Sequence, residues 1–246
     1  MKAVVLIILL AGFGYPVAAQ MPVTIFLAGD STMAPKAAVK RPETGWGEKL
    51  EAHFKPGTVI VDNRALNGRS TKSFIAEGKW TALIVDVKKG DFVFIQFGHN
   101  DQSKDKAERY TPPDDFTSNL VMVVGAVRAK GAIPVLMTPV MRRRFDKDGK
   151  FFDTHGDYPE YTRSVAKRSG VPLIDMQRKS ELVIVKYGVE GSKRLFLHLK
   201  PGENANYPNG IEDNTHFSPL GAEEMAKLAV KGIKETRINL VKYLKK

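Results

Sequence analysis

Five short apolar runs recur along the chain, at Val23 to Ala28, Val59 to Asn63, Asp91 to Phe97, Ile133 to Thr138 and Pro172 to Met176, mostly bounded by Gly, Pro or Asn. Between and after them lie segments with helical spacing: Gly45 to His53, Thr71 to Val87 with an interruption near Gly78, Asp115 to Lys130, Tyr158 to Ser169, Met176 to Tyr187 and Pro219 to Leu244. Strand alternating with helix calls for parallel strands joined by right-handed crossovers, with helices covering both sheet faces. The expected fold class is therefore α/β, a three-layer α/β/α sandwich on a five-stranded parallel sheet. Such sheets bind ligands beyond the carboxyl ends of their strands. With 246 residues, 43% of them hydrophobic, one domain with a sizeable core is expected. No internal repeat, low-complexity stretch or Pro/Ser-rich linker divides it. Met141 to Asp157 and Leu199 to Phe217 read as long irregular segments, a length usually tied to function.

The start of the chain reads as a secretory signal peptide: Met1-Lys2, an apolar stretch from Ala3 to Phe13, then Val17-Ala18-Ala19 at a plausible cleavage point. The apolar stretch is well short of the ~20 residues a spanning helix needs. Residues 1–20 are thus expected to be removed near Ala19 or Gln20, leaving 21–246 as a single secreted or periplasmic domain, a monomer without stable membrane insertion. There is no cysteine, which excludes disulfides, a thiol nucleophile and thiolate metal sites. The formal charge of +11 favours a polyanionic partner. Nucleic acid is not expected, because no basic motif is interleaved with aromatics and Arg142-Arg143-Arg144 is the one compact basic run. An acidic polysaccharide fits export better; a basic surface serving solubility alone is the other reading.

Each of the first three strand runs ends in a chemically loaded turn. Gly29-Asp30-Ser31-Thr32 closes the first, Asn63-Arg64-Ala65-Leu66-Asn67-Gly68-Arg69-Ser70-Thr71 follows the second, and Phe97-Gly98-His99-Asn100-Asp101 follows the third. Taken alone, Gly-Asp-Ser is a turn signal. Far downstream, however, Asp213-Asn214-Thr215-His216 precedes Ser218-Pro219, a helix start with serine as cap and proline at the first helical position. A serine hydroxyl is a poor nucleophile until a base takes its proton, and histidine does this best when a carboxylate fixes its tautomer. Ser31, His216 and Asp213 suit those three roles. Negative charge developing on an attacked carbonyl needs preorganised donors, which the backbone N–H groups of Ser31 and Gly68 and the side-chain amide of Asn100 can supply. Glycine at 68 lets backbone approach substrate closely.

These residues resemble the SGNH or GDSL-type hydrolases, whose blocks are a Ser in Gly-Asp-Ser, a Gly, an Asn in Gly-x-Asn-Asp and a His in Asp-x-x-His. All four occur in that order, as Ser31, Gly68, Asn100 and His216, across most of the mature chain. More narrowly, Gly-Asp-Ser-Thr, Asn-Gly-Arg-Ser followed by Ser73-Phe74, Phe-Gly-His-Asn-Asp and Asp-Asn-Thr-His-Phe resemble the rhamnogalacturonan acetylesterases. The resemblance implies a flavodoxin-like SGNH hydrolase fold and an exported serine esterase that needs no metal or other cofactor. It also implies removal of O-acetyl groups from the rhamnogalacturonan backbone of pectin, through an acetyl-Ser31 intermediate. Acetylxylan or broad short-chain esterases, lipid-type esterases or thioesterases of the same superfamily, and a non-catalytic polysaccharide-binding module are the alternatives.

His99 places a second histidine near the serine, but it lacks a carboxylate at the spacing of the Asp213/His216 pair and is expected to be structural rather than substrate-facing. Asp101 reads as a brace for the Asn100 loop or an exposed turn residue, and Asp30 as a backbone-bonding residue that orients the turn. Arg142, Arg143 and Arg144, with Phe151-Phe152 nearby, can pair a uronate carboxylate or stand as a solvated charge run. Asp153-Thr154-His155-Gly156-Asp157 alternates metal-ligand types without a second histidine cluster, so no metal site is expected. Ser164-Val165-Ala166-Lys167 lies in a helical segment without the companion motifs of lysine-assisted serine enzymes, and no Gly-x-Ser-x-Gly elbow occurs. His53 and His198 have no matching partners in the sequence and read as structural.

Overall fold

The structure, a computed structural model, describes residues 21–246, so the signal-peptide expectation for 1–20 lies outside the described residues. Five parallel strands form one sheet in the order β2-β1-β3-β4-β5. They are β1 (Val23–Gly29), β2 (Val59–Asn63), β3 (Phe92–Gln96), β4 (Ile133–Met137) and β5 (Leu173–Ile174). The helices are α1 (Gly47–Leu50), α2 (Thr71–Ala76), α3 (Lys79–Asp86), α4 (Pro113–Ala129), α5 (Tyr158–Ser169), α6 (Met176–Gly191) and α7 (Pro219–Thr236).

Side chains alternate across the pleat of each strand, so the sheet builds two cores at once. Ile25 and Leu27 of β1, Phe92 and Phe94 of β3, and Val135 and Met137 of β4 face one way, packed with Leu50 of α1, Ile184 of α6 and Met225 of α7. Phe26, Ala28, Val93, Ile95 and Leu136 face the other, packed with Phe74 of α2, Leu83 of α3, Phe116 and Leu120 of α4 and Val165 of α5. These are the three layers expected from the strand-helix alternation. Each fully buried Leu, Ile or Phe contributes about 1.5–3 kcal/mol, so double coverage explains why these strands are apolar on both faces.

The strand order reverses direction at β1. From β1 the chain steps to β2 on one side, then crosses back to β3 on the other. Turns leaving the carboxyl ends of β1 and β3 therefore diverge, and the crevice between them is where doubly wound sheets take their ligands. Gly29-Asp30-Ser31 leaves β1, and Gly98-His99-Asn100 follows β3.

Three stretches depart from the sequence expectation. Leu199 to Phe217 is not wholly irregular, because β7 (Ile211–Phe217) pairs antiparallel with β6 (Phe196–Leu199) as a separate two-stranded ribbon. Only Phe217 of β7 is fully buried, so its polar sequence lacked the apolar signature of a strand. The final helix stops at Thr236, where Arg237 takes a left-handed conformation (φ 53°), and the chain turns back. That reversal buries Leu240 and lets Leu244 bridge to Phe54, a tertiary pairing that overrides helix propensity. Between Gly45 and His53 the helix is a single turn, α1, tightening into a 3₁₀ turn over Glu51–His53.

Candidate active site

The β1 exit turn is fixed by Asp30, which has no exposed surface. Its Oδ1 accepts from the Thr32 backbone N–H (2.9 Å) and hydroxyl (2.8 Å), and the turn closes with Met33 and Ala34 donating to its carbonyl. The Thr32 hydroxyl accepts from the Gln96 side chain of β3, whose carbonyl accepts from the Trp46 indole (3.2 Å). A buried polar chain thus runs from Trp46 through Gln96 and Thr32 to Asp30, pinning the serine turn to the sheet. Asp30 orients the turn, as its place beside the serine led us to expect.

The β2 exit loop is stitched alongside. Arg64 and Leu66 donate backbone hydrogen bonds to Leu27 and Gly29, and the Asn63 side chain donates to the Met33 carbonyl at 2.8 Å. Lys36, a residue the sequence did not single out, completes the tie. Its buried ammonium donates to the Ser31 carbonyl (2.5 Å) and the Asn67 side chain (2.8 Å) while pairing with Glu43 (2.7 Å). No periodicity or motif marks such a lysine; only the folded chain brings 31, 43 and 67 together. Gly68 follows with φ +75°, a left-handed conformation that a side chain would strain.

On the β3 side, Asp101 is fully buried and accepts from the Thr71 N–H (2.8 Å), the Thr71 hydroxyl (2.6 Å) and the Gly98 N–H (3.0 Å). Burial raises its pKa to about 6, against the lowering pull of those donors. It is the brace of the Asn100 loop and not an exposed turn residue. The Asn100 amide donates to the Arg69 carbonyl (3.0 Å) and its oxygen accepts from Arg109 (3.1 Å).

The fourth piece comes from β7. Asp213 accepts from the backbone N–H groups of Thr215 (2.7 Å) and His216 (3.0 Å), and its other oxygen lies 2.7 Å from His216 Nδ1. His216 Nε2 is 2.9 Å from Ser31 Oγ, across 185 residues of chain. Burial pushes the Asp213 carboxyl up, but the hydrogen bond and charge of His216, with the two amides, hold it down at about 2. An anionic Asp213 keeps the proton on Nδ1 and leaves Nε2 to accept from the hydroxyl. The backbone N–H groups of Ser31 and Gly68 have no hydrogen-bond partner among the described residues. Just past β7, the Ser218 hydroxyl accepts from Gly221 N–H (3.1 Å) and caps α7 as the Ser-Pro signal indicated.

His99 is structural, as expected, but it has a carboxylate partner that no local spacing could reveal: Asp30 Oδ2 lies 3.0 Å from its Nδ1 although 69 residues separate them. Burial lowers the His99 pKa, opposed by the Asp30 charge, while Asp30, raised by burial but pulled down further by His99 and Thr32, sits at about 2. His99 is therefore a neutral ring donating from Nδ1. Its side chain is 4% exposed, against 28% for His216, and its buried Nε2 has no hydrogen-bond partner. The serine faces His216, and His99 is structural.

Arg143 is corrected, because it does not face solvent or a substrate groove. Its buried guanidinium donates to Ser192 (3.0 Å), Asn214 (2.9 Å) and the Val189 carbonyl (2.5 Å), and its backbone N–H donates to the Asn214 carbonyl. It thereby anchors β7 beside Asp213. Arg142 is partly buried and donates to the His99 carbonyl and the Thr154 hydroxyl, both at 3.1 Å, while Arg144 is exposed. His198 and His53 do have partners: His198 Nε2 is 2.9 Å from Asn214 Oδ1, and His53 Nε2 is 3.1 Å from Glu223. His155 pairs with Asp153 (2.6 Å), and burial lowers its pKa to about 4, so it too is neutral at pH 7. Among the described residues no group of three or more His, Cys, Asp or Glu side chains is arranged to hold a metal ion.

A doubly wound sheet with a hydrogen-bonded Asp, His and Ser chain at its switch point is the layout of a carboxylic ester hydrolase. The chain belongs to the GDSL-like lipase/acylhydrolase family, whose model matches residues 27–223. It is 44% identical to the rhamnogalacturonan acetylesterase RhgT of Bacillus subtilis (strain 168), over 92% of this chain and 95% of that one. It is 38% identical to YesY of the same organism, a probable rhamnogalacturonan acetylesterase, over 89% and 96% of the two chains. Among solved structures, protein YxiM of Bacillus subtilis superposes with a TM-score of 0.75 at 26% identity, covering 89% of this chain and 58% of that one.

Proposed function

We propose that this protein is a carbohydrate acetylesterase that removes O-acetyl groups from rhamnogalacturonan. The observation that carries the reading is the unbroken chain from Asp213 through His216 to Ser31 Oγ. Ser31 Oγ attacks the acetyl carbonyl as Nε2 of His216 takes its proton, forming a tetrahedral intermediate. The Ser31 and Gly68 backbone N–H groups and the Asn100 side-chain amide receive its oxyanion. Collapse expels the sugar hydroxyl, which regains a proton from His216. Water activated by His216 then attacks acetyl-Ser31, releasing acetate and restoring the serine. Asp213 holds the imidazole and offsets its charge throughout. No metal or cofactor enters the scheme.

The substrate class is supported by the names of the two Bacillus relatives and by the +11 formal charge, which suits a galacturonate-containing chain. The reading includes export through a signal peptide at residues 1–20 and a monomeric mature domain. Among the described residues no helix is long and apolar enough to cross a membrane.

The test is acetate release by the mature protein, residues 21–246, from acetylated rhamnogalacturonan, acetylated xylan and p-nitrophenyl esters of increasing chain length, beside Ser31→Ala. Fastest release from rhamnogalacturonan, abolished by the substitution, is expected. Preference for xylan or for acyl chains of about eight carbons would replace the substrate assignment, and no hydrolysis at all would point to a binding module.

A further inference from the structure

Asn100 can serve an oxyanion only if its amide presents N–H, and the orientation of that amide depends on its neighbours. Arg109 has donors only, so whichever Asn100 atom faces its Nη1 at 3.1 Å must be the oxygen. The Arg69 carbonyl is an acceptor only, so the atom facing it at 3.0 Å must be nitrogen. One Nδ2 hydrogen is spent on Arg69 and the other is left for a ligand. The same guanidinium stands against the second proposed donor, since a Cβ built on Gly68 would lie 3.5 Å from Arg109 Nη1.

Arg109 is itself held in place. Its backbone N–H donates to the Lys106 carbonyl (3.0 Å), Thr111 N–H donates to the Asp101 carbonyl (2.9 Å), and the Tyr158 hydroxyl donates to the Thr111 carbonyl (2.6 Å). The same carboxylate residue, Asp101, that braces the Asn100 loop thus also ties down the Arg109 segment. No carboxylate lies within hydrogen-bond distance of the guanidinium among the described residues; the Glu108 carboxylate, 3.8 Å from Nε, is largely exposed. The hydrogen bond its guanidinium makes among the described residues is the one to Asn100, and its buried Nε has no hydrogen-bond partner.

We infer that Arg109 is a positioning residue for the oxyanion hole: its charge-assisted hydrogen bond fixes the Asn100 amide with N–H toward the reacting carbonyl and polarises that amide into a stronger donor. This rests on the proposed role of Asn100. Without the guanidinium only the Arg69 carbonyl still orients the amide, so its free N–H is held less firmly and polarised less toward the developing negative charge, which raises the barrier without altering substrate contact. Lysine in its place still donates to Oδ1, although from one point and not a planar fork.

A double-mutant cycle on p-nitrophenyl acetate tests this, with kcat and KM measured separately and acetylated rhamnogalacturonan oligomers run in parallel. Asn100→Ala is expected to lower kcat by about 100-fold, the scale of one lost oxyanion donor. Arg109→Ala is expected to lower kcat by about tenfold with KM unchanged, to have no further effect in the Asn100→Ala background, and to be largely rescued in Arg109→Lys. If Asn100→Ala keeps full kcat, the oxyanion role of Asn100 itself fails. If Asn100→Ala is impaired but Arg109→Ala is not, or the two losses multiply, Arg109 does not act through Asn100. A raised KM confined to the oligomers would make Arg109 a contact for substrate carboxylate instead. Should Arg109→Ala not fold, Arg109→Met, which keeps the length of the side chain and removes the donors, decides by the same criteria with and without Asn100→Ala.

Discussion

His216→Ala is expected to lower kcat on acetyl esters by about 10⁴-fold or more, while His99→Ala retains turnover within about thirtyfold of the parent. Two histidines lie near the serine, each paired with an aspartate through Nδ1, and position alone does not separate them. Geometry does. Only His216 directs Nε2 at Ser31 Oγ, at 2.9 Å, and only His216 retains enough exposure to meet a substrate. The His99 ring is enclosed, packed edge-on against His155 with centroids 4.7 Å apart. Its loss removes a donor from a buried carboxylate, so it is expected to show in thermal stability more than in rate. Steady-state kinetics and melting of both variants check the contrast. An enzyme disabled equally by either substitution would contradict the distinction drawn between the two pairs.

The second large effect concerns Asp30. Three buried donors converge on its carboxylate: the Thr32 N–H, the Thr32 hydroxyl and His99 Nδ1. Asp30→Ala strands all three and is expected to cost about 3–5 kcal/mol, read as a lower urea midpoint at pH 7. The same carboxylate contributes to acid stability. Its folded pKa of about 2 lies below the ordinary aspartate value of ~3.9, so the unfolded chain binds the proton first. Its stabilisation is present above roughly pH 4 and is lost as pH falls toward about 2, a contribution on the order of 2 kcal/mol. Asp30→Asn is expected to be less stable at pH 7 and to lose less between pH 5 and pH 2.5 than the parent. An unchanged midpoint at pH 7 would show that the buried network does not hold the turn.

Much of this was legible in the chain because parallel strands covered on both faces leave a strong record. The runs at β1, β2 and β4 sit within a residue of their observed ends, and the Gly78 break between α2 and α3 occurs where glycine adopts a left-handed φ of 70°. The four site pieces were readable because each follows a strand end or precedes a capped helix. What the chain concealed is whatever arises from pairing at a distance. His99 finds its carboxylate 69 residues away, Lys36 joins three segments, and Arg143 turns inward to grip β7 although it sits in a basic run. The β7 strand was hidden for a related reason: it lies outside the main sheet, is mostly only half-buried, and carries the polar residues of the site instead of an apolar face.

The most direct test is to find which atom carries the acyl group during turnover. Mature protein quenched in acid during steady-state hydrolysis of p-nitrophenyl acetate, digested and mapped by mass spectrometry should show one acetyl group on the peptide containing Ser31. The adduct should be absent when Ser31→Ala is treated in the same way. Acetylation of a different residue by that protocol, or undiminished hydrolysis by Ser31→Ala, would contradict the account.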